Sequence, residues 1–156
     1  MSRYAVLAAL ALAAIPAHAA VTVSFVEPQR FTDVQDFERQ TRDVTGELAR
    51  YLVRLGERYL APEDKLAIEV LNVDLAGASV LSRGANSPVR VMTGNADWPR
   101  IEVRYTFESG GAVLQRQETI VDRNYLGRPE AKFSRDPLQY EKRMLEDWFS
   151  MRFARK

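Results

Sequence analysis

The sequence has 156 residues, of which 46% are hydrophobic and 28% charged, a balance typical of a globular protein with one core. It has no cysteine and a single histidine, and its 22 basic and 21 acidic residues give a formal net charge of +1. Because His18 lies in a segment that we expect to be removed, the remaining chain excludes a Ser-His-Asp triad, a Cys-His pair, a zinc finger, an iron–sulfur cluster and haem ligation by His or Cys. We therefore expect no catalytic residue of these types, no metal and no cofactor.

The N-terminal segment has the three features of an export signal in their usual order. Arg3 precedes an apolar run at residues 5–15, and Ala-His-Ala at residues 17–19 fits the small-x-small pattern that a signal peptidase recognises. The apolar run is too short to span a bilayer of about 30 Å as a helix. We predict a cleaved signal peptide at 1–19 and a single domain at 20–156, located in the periplasm, with secretion as the alternative. The competing interpretation is an N-terminal core helix.

The first predicted elements of the domain are a strand and a helix. Alternating apolar and polar residues at 21–26 predict the strand, and a polar segment at 31–42 is typical of a loop. The helix is predicted from Val44, capped by Asp43 or Thr41, and ends before Pro62. Its apolar residues recur at helical spacing, so that one stripe can face a core: Leu48, Tyr51, Leu52, Leu55 and Tyr59.

A sheet is predicted from the middle of the chain. Residues 66–73 are apolar on both faces, which is typical of a central strand, and a short strand is possible at 89–92. Residues 101–108 alternate regularly between apolar and polar, the pattern of an antiparallel strand with one buried face. The Ser-Gly-Gly segment at 109–111 predicts a hairpin turn, and residues 112–122 form the returning strand.

The chain ends in a second amphipathic helix. Asp136 is predicted to cap it and Pro137 to occupy its first position. Its apolar stripe consists of Leu138, Leu145, Trp148 and Phe149, with Met144 beside it. The element order is β-α-β-(β)-β-β-α. We therefore predict an α+β two-layer sandwich, with two main helices on one face of a mostly antiparallel sheet of about four to five strands.

Five short motifs together resemble DUF3016, a domain-of-unknown-function family of small exported proteobacterial proteins. The motifs lie at residues 25–28, 73–77, 97–105, 122–126 and 140–149, and the last of them is the most specific. The resemblance covers almost the whole predicted domain. It implies a single-domain exported protein and brings no activity, cofactor or catalytic residue.

The last part of the predicted domain is basic and carries aromatic residues among its charges. Residues 123–156 hold nine basic and five acidic residues, and removal of Arg3 with the signal leaves the whole domain neutral. Aromatic rings beside arginine are suited to sugars, peptides or anionic head groups. The alternative is that the rings cover the core while the charges are solvated. We predict a contact surface, with Trp98 as its neighbour, that consists of Arg123, Tyr125, Arg128, Lys132 and Phe133.

The function that this surface favours is non-catalytic binding to an envelope protein or a cell-wall component. We expect no nucleic-acid partner and no membrane span, and the oligomeric state stays open. One alternative is a hydrolase or lyase in which two of the residues Asp74, Asp97 and Asp122 converge to about 5–10 Å. Another is a small-ligand or metal-ion carrier, with a cavity behind the helices or a cluster of at least four oxygen ligands. Residues 72–77 resemble the start of a calcium loop but lack its third ligand and terminal glutamate.

Overall fold

The computed structural model describes residues 19–32, 43–80, 89–127 and 135–154. Residues 1–18 of the predicted signal peptide, residues 33–42 of the predicted loop and three predicted contact residues, Arg128, Lys132 and Phe133, lie outside these ranges. The regular elements are β1 (Ala20–Phe25), α1 (Val44–Tyr59), β2 (Lys65–Asp74), β3 (Ala78–Val80), β4 (Val89–Val91), β5 (Arg100–Ser109), β6 (Ala112–Val121) and α2 (Gln139–Phe153). Short 3-10 turns lie at Pro28–Arg30 and Tyr125–Gly127.

A four-stranded sheet with the order β1-β2-β5-β6 forms one layer of the molecule. β1 runs parallel to β2, as expected of two strands joined by a crossover helix. The β2–β5 and β5–β6 pairs are antiparallel, and a bulge interrupts the first of them between Val70 and Asn72. The α+β class and the mostly antiparallel sheet are therefore confirmed.

The short strand predicted at 89–92 pairs outside this sheet. It is β4, and it forms a separate antiparallel ribbon with β3, a strand that the sequence did not predict. Three residues are too few to display an alternating pattern. The ribbon nevertheless shapes one end of the molecule, because it carries Arg90 against the segments that follow β2 and precede α2.

Helix α1 starts at the predicted cap and packs closely on the sheet. Asp43 accepts a hydrogen bond from the backbone of Gly46 at 2.7 Å, which satisfies one of the free donors of the first turn. The predicted stripe of Leu48, Leu52 and Leu55 is buried. Gly56 allows the helix to approach β1, since a Cβ atom at this position would lie 2.1 Å from Cγ2 of Val21.

The core lies between the sheet and the two helices. Alternate residues of β5 are buried as predicted, including Ile101, Val103 and Tyr105. Burial of one such aliphatic side chain contributes about 1.5–3 kcal/mol before entropy costs. Gly110 and Gly111 form the predicted hairpin turn with φ values of 56° and 82°, a region that favours glycine.

Helix α2 begins later than predicted. Leu138 is its N-cap, with no side-chain hydrogen bond, and Pro137 lies in the preceding turn rather than at the first helical position. Asp136 stabilises that turn by accepting a hydrogen bond from the backbone of Leu138 at 2.9 Å. The predicted apolar stripe is buried. No helix in the described part of the chain has the length and apolar character needed to cross a membrane.

Candidate binding surface

Three loops meet at the end of the sheet where β2 and β6 finish and β5 begins. The backbone N–H of Gly77, after β2, donates to the carbonyl of Asp97 at 2.8 Å. The N–H of Asp122, after β6, donates to the carbonyl of Pro99 at 3.4 Å. Motifs that are far apart in the sequence therefore form one surface.

A hydrogen-bond network around Asp97 fixes the shape of this surface. One carboxylate oxygen accepts from the hydroxyl of Tyr125 at 2.9 Å, and the other accepts from the N–H and hydroxyl of Thr93 at 2.6 and 2.9 Å. Tyr125 also accepts from the N–H of Gly94 at 3.3 Å, and its ring meets that of Tyr140 edge-on at 5.0 Å between centroids. Tyr125 thus connects the loop before β5 to helix α2.

The same network determines the ionisation of both partners. Burial alone would raise the pKa of Asp97, but the hydrogen bonds from Thr93 and Tyr125 outweigh it and lower that pKa below its ordinary value of 3.8. Burial and the bond to Asp97 raise the pKa of Tyr125 to about 12. At neutral pH an ionised carboxylate therefore accepts from a protonated phenol, and both groups have fixed roles.

Replacement of Asp97 by asparagine is expected to make the free energy of unfolding less dependent on pH in acid. The folded state holds the pKa of Asp97 below its value in the unfolded chain. Ionised Asp97 therefore stabilises the fold above about pH 4, and this contribution is lost as the pH falls through the folded-state pKa. Urea denaturation at a series of pH values from neutral to pH 2 would measure the free energy of unfolding. This free energy should fall less steeply with decreasing pH for Asp97→Asn than for the wild type or for the exposed control Glu63→Gln. Equal slopes would contradict the prediction.

Trp98 and Arg123 form the outer part of the surface. The guanidinium carbon of Arg123 lies 5.5 Å from the centroid of the Trp98 ring, in a cation–π contact. Arg123 is exposed and Trp98 is half-buried. Among the residues that the structure describes, Arg123 has no carboxylate partner in a salt bridge. A stacked guanidinium with open N–H donors is a suitable group to receive a carboxylate or a phosphate.

The structure brings together three of the six predicted contact residues, with different roles. Trp98 and Arg123 are accessible, whereas Tyr125 is 2% exposed. That these residues contact a partner stays a prediction, and the burial of Tyr125 gives it a supporting role in that surface. Its ring is covered by Tyr140 and its hydroxyl is bound to Asp97, so it supports the surface from beneath. Sequence reasoning missed Thr93, although a threonine and an aspartate around a glycine in a loop are a signal for side-chain-to-backbone bonding.

The aspartates of the hydrolase alternative also lie at this end of the sheet. Asp74 ends β2 opposite Arg100 of β5, and Asp122 accepts a hydrogen bond from the backbone of Asn124 at 2.9 Å. Asp97, however, has a lowered pKa, opposite to the raised pKa that a general acid needs. Within the described ranges, no group of three or more Asp, Glu, His or Cys residues could hold a metal ion.

A groove of about 620 Å³ lies along the sheet strands. Its polar lining includes Thr22, Thr106, Gln115 and Gln117. An exposed ion pair between Arg104 and Glu69, at 2.5 Å, borders it. The carrier alternative predicts a cavity on the opposite side, behind the helices, so this groove does not support it.

Comparison with known proteins gives a family and no activity. No curated protein and no solved structure matches the chain. The family model described as "Protein of unknown function (DUF3016)" matches residues 19–151, which is most of the sequence. The chain therefore belongs to the DUF3016 family, as its five motifs predicted.

Proposed function

We propose that this protein is an exported, non-catalytic binding or accessory protein of the cell envelope. It contacts an envelope protein or a cell-wall component that carries anionic groups. The observation that carries this proposal is the exposed guanidinium of Arg123, stacked on Trp98 and without a salt-bridge partner among the described residues.

The hydrogen bonds beneath Arg123 and Trp98 favour an ordered binding surface over a flexible, solvated loop. Two hydrogen bonds from Thr93 to Asp97 order the loop before β5. Two more, from Gly94 to Tyr125 and from Tyr125 to Asp97, connect this loop to the turn after β6. A surface that is already ordered loses less conformational entropy on binding. The basic segment that contains Arg128 and Lys132 follows this turn directly in the sequence and adds positive charge that attracts an anionic partner.

Export is the second part of the proposal and rests on the N-terminal signal. Fractionation of cells that express the full chain with a C-terminal tag would place the protein in the periplasm or the medium. Its N-terminus, determined by sequencing, would be Ala20. Recovery of the uncleaved chain from the cytoplasm would overturn this part.

Arg123→Glu is expected to abolish partner binding. Cross-linking of the tagged protein in intact cells, followed by mass spectrometry, would capture one abundant envelope partner with the wild type. The loss follows because the substitution presents a negative charge where an anionic group binds. Trp98→Ala is expected to weaken capture, since the guanidinium loses the ring that orients it. The combined Arg128→Glu and Lys132→Glu variant is expected to abolish capture as well.

Arg54→Glu is the matched control. Arg54 is exposed and stacks on Tyr51 of helix α1, at 5.4 Å from the ring centroid, so it reproduces the Arg–aromatic contact at another place. Capture with this control should equal that with the wild type, and thermal unfolding of the charge-reversal variant Arg123→Glu should change little because Arg123 is exposed. Unimpaired capture by Arg123→Glu would remove this surface as the binding site.

A further inference from the structure

Strand β6 is an edge strand with little protection against pairing. It is ten residues long, and its register with β5 continues without a bulge from Val121 to Ala112. It contains no proline, no lysine and no glycine. Among the described strands, β5 is its one neighbour, so its other side presents backbone N–H and C=O groups. Natural proteins usually blunt such edges with short strands, bulges, prolines or lysines, or cover them.

The sequence of β6 is self-complementary about Gln117. Residues at equal distances before and after Gln117 match in apolar or polar character, and the nearest pair has opposite charges. The pairs are Val113 with Val121, Leu114 with Ile120, Gln115 with Thr119, and Arg116 with Glu118. Two copies of β6 that run antiparallel about a twofold axis at Gln117 would place the members of each pair opposite each other.

The charges of Arg116 and Glu118 favour the register with the twofold axis at Gln117 over the two neighbouring ones. Arg116 is exposed and makes no salt bridge within the described part of its own chain. Glu118 lies on the same face of the strand, two residues on, and is bound by Arg152 of α2 at 2.9 Å with 16% of its side chain exposed. An axis at residue 116 would place arginine opposite arginine, and an axis at residue 118 would place glutamate opposite glutamate. Like charges directly opposite are unfavourable.

Two exposed apolar side chains lie on β6 itself. Val113 and Leu114, on β6, are 63% and 41% exposed. Met151, on α2, is 79% exposed and lies in the sequence between Trp148 and Arg152. Since Trp148 and Arg152 both donate hydrogen bonds to Glu118, Met151 is adjacent to this edge. In the antiparallel arrangement, Val113 and Leu114 would meet Val121 and Ile120 of the second copy.

We propose that two copies of this chain form a symmetric dimer by antiparallel pairing of their β6 strands about Gln117. The two sheets become one continuous sheet with the helices of both copies on the same face. Arg116 of each copy forms a salt bridge with Glu118 of the other. The proposal is independent of the binding function, because it uses the edge of the sheet and not its loop-bearing end.

Sedimentation velocity of the purified domain over a concentration series tests the dimer. At the higher concentrations, the mass obtained for the wild type is expected to be twice that of the chain. Arg116→Glu is expected to raise the dissociation constant at least about tenfold, because both symmetry-related salt bridges become repulsive. At concentrations low enough for both proteins to be monomers, its circular dichroism and thermal unfolding should resemble those of the wild type, because Arg116 is exposed. A wild-type monomer throughout the series, or a dimer unaffected by Arg116→Glu, would overturn the proposal.

Single cysteines test the register, since the chain has none of its own. Gln117→Cys is expected to form a disulfide-linked dimer under mild oxidation, because each copy of this residue lies opposite the other on the axis. Gln115→Cys is the matched control on the same face, with its two copies about 13 Å apart along the strands. Equal cross-linking of the two variants would overturn the proposed pairing.

Discussion

Replacement of Arg90 by alanine is expected to lower the free energy of unfolding by about 3–5 kcal/mol. The guanidinium forms a salt bridge with Glu141 of α2 and donates to the carbonyls of Ala76 and Pro137, the latter at 2.8 Å. The side chain of Glu141 is fully buried, whereas that of Arg90 is 11% exposed. Removal of Arg90 leaves a charged carboxylate in the interior with the N–H of Ala76, at 2.8 Å, as a remaining donor. Urea denaturation would measure the loss.

Two further variants identify the cause of this loss. In the Arg90→Ala background, Glu141→Gln should restore part of the stability, because it removes the buried charge and keeps an acceptor for Ala76. Arg104→Ala breaks the exposed ion pair with Glu69 and should cost at most about 1 kcal/mol. If Arg90→Ala lowered the free energy of unfolding as little as Arg104→Ala does, the stability of the interior would not depend on the Arg90–Glu141 ion pair.

Phe149→Ala is expected to destabilise the fold by about 3–5 kcal/mol through the cavity that it creates. Phe149 has no exposed surface and is the ring that joins the two helices. Its centroid lies 5.9 Å from that of Tyr59 on α1 and 4.8 Å from that of Phe153 on its own helix. Few atoms are positioned to fill the space, because the neighbouring rings are held by their own contacts.

Denaturant titration followed by tryptophan fluorescence would measure this effect, since Trp148 lies next to Phe149 and in contact with it. Phe149→Leu should cost less than half as much, because leucine fills most of the volume. Equal losses for the two variants would indicate a disrupted helix rather than a cavity. A loss below about 1 kcal/mol for Phe149→Ala would contradict the packing described above.

Elements with long and regular patterns were predictable from the sequence. Helix α1, its aspartate cap and the alternating strand β5 depend on local spacing, and all three were confirmed. The predicted start of α2 was wrong, because an aspartate followed by a proline is as typical of a turn as of a helix start. The β3–β4 ribbon was predicted only in part, since each of its strands has three residues.

The candidate site was less predictable because its contacts are distant in the sequence. Tyr125 and Asp97, for example, are 28 residues apart. An aromatic residue among basic ones looks the same in a sequence whether its ring is exposed or buried. Only the course of the loops shows that Tyr125 supports the surface and that Trp98 meets Arg123.

If the chain is exported as proposed, the position of β1 constrains the order of leader removal and folding. Ala20, its first residue, pairs with Lys65, and its N–H donates to the carbonyl of Asp64 at 3.1 Å. Under the proposed cleavage after Ala19, the scissile bond therefore adjoins the first hydrogen bond of the sheet with no spacer between them. A peptidase requires an accessible, extended segment on both sides of that bond, so β1 cannot occupy its place in the sheet before the leader is cut. Under the proposed cleavage, release of the leader would therefore precede completion of the sheet, and the new ammonium group of Ala20 would be the donor to the carbonyl of Asp64.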